Sequence, residues 1–155
     1  MTANYQVKRF PNLVEQMSNE DIRELENRLR KDYVKVDFEM GSSNGFLGCG
    51  ESLVEVIERD KKTLLELGLT YKGIATTLGM GISLGKTRGF NQSCPWGDNY
   101  PSDNSMMVYK DPKTGLSMVY SFLMPHLIGT HHFFEGDTPY RIGPRDFARV
   151  IGKIK

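Results

Sequence analysis

The chain has 155 residues, 39% hydrophobic and 25% charged, which fits one globular domain of about 100–200 residues and excludes a disordered chain, a collagen-like repeat and a disulfide-dense miniprotein. Twenty Lys and Arg against nineteen Asp and Glu leave a net charge of +1, without the basic excess of a chain that lives on phosphate backbones, so nucleic acid is not the expected partner. Two cysteines, no apolar signal core at residues 1–7 and no run near the ~18–20 apolar residues of a membrane span point to a cytoplasmic protein that does not enter a membrane.

The first predicted helix runs from Ser18 to Tyr33. Ser18 caps it, with Asp21 three residues on, and Ile22, Leu25, Leu29 and Tyr33 form one apolar stripe. Residues 34–40 alternate apolar and polar and read as a half-buried strand, closed by a Gly-Ser-Ser-Asn-Gly loop. A second helix is predicted from Glu51 to Leu67, with Val54, Ile57 and Leu64 near one face and Gly68 as its C-cap. Thr70 then caps a short helix through Leu78 that stops at Gly79. Residues 79–105 are rich in Gly, Asn, Ser and Pro, and their weak periodicity reads as a long loop, a kind of segment that often carries function.

Met106–Tyr109 and Leu116–Phe122 flank a Pro- and Gly-containing tract and predict a β-hairpin. Pro125 suits the first turn of a helix running to Glu135 and stopping at Gly136. Residues 140–142 suggest a short strand, and Pro144 starts a last helix carrying Phe147, Val150 and Ile151. The last fifteen residues lean basic, with Arg141, Arg145, Arg149, Lys153 and Lys155 against Asp146, and read as a solvated terminal helix with cations near its negative end. Without βα alternation the order is α+β: a single compact domain over residues 1–155, with a small antiparallel sheet (hairpin about 106–122) packed by about five helices.

Two motifs fall short of known signatures. Gly85-Lys86-Thr87 ends like a P-loop, but Met80 stands where that motif needs its first glycine. Leu67 to Gly79 resembles the first half of a sigma-factor-like helix-turn-helix. That resemblance implies a recognition helix at 82–90, which would contain Gly85 and Gly89. It supports an alternative reading as a non-enzymatic DNA- or protein-binding module built on residues 64–90.

The chemical lead is the histidines. His126, His131 and His132, the chain's three, lie within seven residues. Histidine ligates metals and titrates near neutrality. At about 100° per residue an unbroken helix cannot aim all three at one point. Glu135 stands at i+4 from His131 and i+3 from His132, so it can orient one imidazole. Cys94, in the loop-like stretch, adds a sulfur. Cys94, His126 and His131 make a candidate zinc set. In the catalytic version Cys94 is the nucleophile, His131 or His132 the base and Glu135 the orienting carboxylate. Cys49-Gly50-Glu51 is a further source of sulfur or carboxylate. It resembles the first half of the cytidine deaminase signature, without that signature's second half. Trp96, Asp98, Tyr100 and Asp103 supply the aromatic and polar lining of a small-molecule site in the same loop. Tyr140 and Arg141 offer an anion contact beside it.

Overall fold

A computed structural model describes residues 8–30, 45–48, 50–86, 92–138 and 141–155. The strand expected at 34–40, Cys49 and Tyr140 lie outside the described residues. Among the described residues, five helices and a three-stranded antiparallel sheet form an α+β fold. None of the helices is long and apolar enough to cross a membrane.

Local chemistry sets most of the helix ends. Helix α1 (Asn19–Arg30) begins where Ser18 Oγ accepts the Asp21 amide at 3.1 Å, and it buries Leu25 and Leu29. Helix α2 (Leu53–Leu67) starts two residues later than expected, because Ser52 takes the cap and accepts from the Glu55 amide. It ends at Gly68, whose φ of 70° is left-handed and suits a residue without Cβ. Thr70 caps α3 (Tyr71–Leu78). The predicted hairpin is present as β2 (Ser105–Lys110) and β3 (Ser117–Ser121). Asp111 holds its turn by accepting from the amides of Lys113 and Thr114. Strand β3 feeds directly into α4 (Met124–His131), with Leu123 and Met124 fully buried at the junction. The last helix, α5 (Pro144–Val150), starts at Pro144 as expected.

Three expectations are corrected. Residues 82–86 form a strand, β1, at the edge of the sheet; they are neither loop nor the start of a recognition helix. Ile82 pairs with Val108 and Ser83 with Met107, and the register then slips at Leu84. Gly85 has a φ of 102°, which suits that bulge and excludes a right-handed helix. The helix-turn-helix reading therefore loses its second helix. Arg141 and Ile142 are not in a strand. Helix α4 stops at His131, well short of Glu135. His132 caps it at φ 59°, and the Phe133 amide donates back to the Leu127 carbonyl. Ending the helix there sends Phe133 and Phe134, both fully buried, into the core.

The helices close over one apolar core. Gly129 on α4 faces Ala75 on α3, and a Cβ on Gly129 would stand 2.9 Å from the Ala75 methyl, so only glycine permits this approach. The Tyr120 hydroxyl donates to the Leu78 carbonyl at 2.5 Å and ties the sheet to the end of α3. The main ionic link is Arg141 with Asp60 of α2. The guanidinium donates to both carboxylate oxygens, at 2.7 and 2.9 Å, and to the Glu135 carbonyl at 2.7 Å.

Asp60 is 2% exposed, so removing its carboxylate strands a partly buried cation. Asp60→Ala should lower stability by about 3 kcal/mol, read as a fall in the urea midpoint. A loss below about 0.5 kcal/mol would show that the pair is no stronger than a surface one.

Candidate metal centre

Residues 92–103, between β1 and β2, form a loop closed at its neck. Gln92 and Asp103 exchange both backbone hydrogen bonds, at 2.8 and 3.2 Å, and the Ser93 and Ser102 hydroxyls meet at 2.6 Å. Inside the loop the Gly97 amide donates to the Cys94 carbonyl at 3.1 Å and makes a turn through Pro95 and Trp96. Gly97 sits at φ 79°, and a Cβ there would collide with the Lys8 carbonyl. The position requires glycine, and the turn it permits aims Cys94 and Asp98 at α4.

From α4 come His126 in the first turn and His131 at the last residue. Their ring centroids are 5.0 Å apart and nearly perpendicular. Each ring is held by a flat neighbour from the loop: Trp96 stacks on His131 at 4.2 Å, and Tyr100 on His126 at 3.9 Å. One ligand atom each from Cys94, Asp98, His126 and His131 lies within 4.8 Å of all the others. His126 Nε2 and His131 Nε2 stand 2.9 and 3.0 Å from the same oxygen, Asp98 Oδ2, and Cys94 Sγ stands 3.4 Å from His131 Nε2. Around a zinc ion with bonds of about 2.0–2.3 Å, ligand atoms stand about 3.3–3.8 Å apart. The two short pairs need to open by a few tenths of an ångström, and the widest to close by about 1 Å.

The outward nitrogens are also engaged. His131 Nδ1 donates to the backbone carbonyl of Asn12 at 3.1 Å, and His126 Nδ1 lies 3.4 Å from Thr130 Oγ1. A carbonyl only accepts, so Nδ1 carries the ring proton of a neutral His131, and its Nε2 presents a lone pair. That lone pair faces a carboxylate oxygen and a sulfur. Burial, above all, pushes the His131 pKa down and favours the neutral ring. Burial opposes ionisation of Asp98, but the hydrogen bonds with Cys94 and His126 and the attraction of both imidazoles hold its carboxyl below the usual range. Burial pushes the Cys94 thiol up, and the neighbouring Asp98 adds to that. A divalent cation at the centre would satisfy all four donors together.

The structure thus brings together Cys94, His126 and His131 and adds Asp98, which the sequence reading places only among the polar residues of the loop. It does not bring in His132 or Glu135. Because α4 ends at His131, the expected helical pairs of Glu135 with His131 and His132 do not form. His132 turns the other way and stacks on Tyr71 at 3.9 Å. Glu51 is committed elsewhere: its carboxylate accepts from the amides of Gly48 and Asp137. Arg141 is occupied by Asp60 and offers no anion contact at the site. Asn12 had no signal in the sequence, because it acts through its backbone carbonyl. Comparison of the chain with protein-family models, with curated proteins and with solved structures finds no match.

Glu135 lies in the turn after α4 at φ 71° and is 3% exposed. Burial pushes its pKa up from 4.5 to about 7, against the opposing Thr138 hydroxyl bond and the charge of Arg141. The folded state therefore holds this proton more tightly than the unfolded chain. The associated stability is complete below about pH 4.5 and is lost as pH rises to and through 7. Glu135→Gln should remove that loss. Between pH 4.5 and 8, the variant should gain up to about 3 kcal/mol relative to the parent chain, measured by urea unfolding. Parallel pH profiles for the two proteins would contradict the assignment.

Proposed function

We propose that this chain is a small metalloprotein in which Cys94, Asp98, His126 and His131 hold one transition-metal ion, with zinc the best fit. The observation that carries the reading is the convergence of four donors on one point while each imidazole's other nitrogen has a partner, Asn12 or Thr130. Such outer partners orient metal-ligating histidines and fix their tautomers. One sulfur, two imidazoles and one carboxylate suit zinc, and the set lacks the six or more oxygens that calcium takes.

Four protein donors complete a tetrahedron and leave no position for substrate. Two of the four side chains are closed in, His131 at 0% and Cys94 at 4% exposed, and Asp98 and His126 are only slightly open, at 10% and 12%. Both features favour an ion that holds structure over one that turns over a substrate. A second reading, a thiol–imidazole nucleophile, is favoured by the 3.4 Å contact of Cys94 with His131. It needs a reachable thiolate; Cys94 is buried, and its surroundings favour the protonated thiol.

Metal analysis of untagged, zinc-supplied protein should give about one zinc per chain, falling steeply in Cys94→Ser and His131→Ala. Cobalt(II) substitution should give the intense visible bands of a tetrahedral site and a sulfur-to-cobalt charge-transfer band that Cys94→Ser abolishes. Zinc below about 0.2 per chain, with cobalt spectra of a six-coordinate aqueous ion, would overturn the reading. Rapid alkylation of Cys94 in such metal-free protein would favour the nucleophile instead.

A further inference from the structure

We infer that metal occupancy of this centre governs the docking of segment 8–17 onto the turn at residues 94–98. The inference rests on the metal reading above and assigns that site a conformational output.

Phe10 and Val14 of the segment pack into the apolar core, and its hydrogen bonds to the rest of the fold run chiefly to the metal loop, to a ligand and to Arg28. The Phe10 amide donates to the Trp96 carbonyl at 2.9 Å. Arg28 Nη1 bridges the Lys8 and Pro95 carbonyls at 2.9 and 2.8 Å. Gly97 presses on the Lys8 backbone, and the Asn12 carbonyl accepts from His131 Nδ1. Trp96, Pro95 and Gly97 lie between the ligands Cys94 and Asp98. The segment's ionic ties elsewhere run from Lys8, half-exposed, to Asp21 and Glu24. Exposed pairs of that kind hold little.

The coupling follows from a proton count. A neutral imidazole carries one N–H, and His131 has two acceptors, the Asn12 carbonyl on Nδ1 and Asp98 Oδ2 on Nε2. A metal on Nε2 takes the Asp98 side and leaves the proton on Nδ1 for Asn12. Without the metal, the carboxylate competes for that proton, and a hydrogen bond to an ionised acceptor is roughly twice as strong as one to a neutral carbonyl. With the proton on Nε2, a bare Nδ1 lone pair faces the Asn12 oxygen. The same ion fixes Cys94 and Asp98, and through them the Trp96 carbonyl that receives Phe10. By linkage, whatever weakens docking must weaken metal binding by the same factor.

Hydrogen exchange on the full chain, zinc-loaded and chelator-stripped, tests the inference. On stripping, protection of the Phe10 and Gly97 amides should fall by roughly tenfold or more, while that of the Leu64 amide inside α2 stays unchanged. Phe10→Ala should weaken zinc affinity several-fold, measured by competition with a chelator. If zinc binds at one per chain and Phe10 protection is the same with and without it, the docking inference fails and the metal reading stands. Equal loss at Leu64 overturns it too, since the effect is then global unfolding. Unchanged zinc affinity in Phe10→Ala also overturns it. Failure to take up zinc at all removes the metal reading and this inference together.

Discussion

A single ring proton on His131 has to serve acceptors on both sides of the imidazole. That shortage organises the centre. On one side lies a backbone carbonyl that only accepts; on the other, a carboxylate oxygen at 3.0 Å and a sulfur at 3.4 Å. With the ring proton on Nδ1, the Nε2 lone pair faces the Asp98 carboxylate at 3.0 Å, with the Cys94 thiol as a weak donor beside it at 3.4 Å, in a place where a poorly paired polar atom is costly. A cation among Cys94, Asp98, His126 and His131 removes the conflict. The donor set and the outer partners of both histidines point to the same remedy.

The rest of the fold can be understood as what brings these groups to one point. Strand β3 runs straight into α4, so the hairpin positions the histidine helix. The Gln92–Asp103 bridge closes the neck of the facing loop, and Lys86 on β1 pairs with Asp103 at that neck. Gly97 lets the loop double back under the Lys8 backbone, and Gly129 lets α4 settle against α3. Trp96 and Tyr100 then cover one imidazole each. His126 and His131 are five residues apart, and they converge because the loop reaches in between them; the helix alone does not aim them together.

Features that depend on neighbouring residues were legible in the sequence. Ser18, Thr70, Gly68 and Pro144 each mark a helix end through local hydrogen bonds or backbone freedom, and the hairpin shows in its alternation and turn residues. The histidine cluster and Cys94 were legible as residue types, and the helical angle shows that three histidines cannot share one target. The early stop of α4 was not legible, because it answers to the burial of Phe133 and Phe134, a tertiary demand. Strand β1 leaves little signal in the sequence because it contains a glycine and stays exposed along its length; it exists through pairing with β2. Asp98 could be seen only as a polar loop residue four positions after Cys94. The Asn12 carbonyl stands 119 residues from its imidazole, and a backbone atom leaves no mark in residue type.

Metal binding here means a mixed sulfur, nitrogen and oxygen shell around one ion. Zinc-edge X-ray absorption on the loaded full chain measures that shell directly. The spectrum should show one sulfur at about 2.3 Å, three nitrogen or oxygen neighbours at about 2.0–2.1 Å, and the scattering pattern of two imidazoles. A six-coordinate shell of light atoms with no sulfur would contradict it.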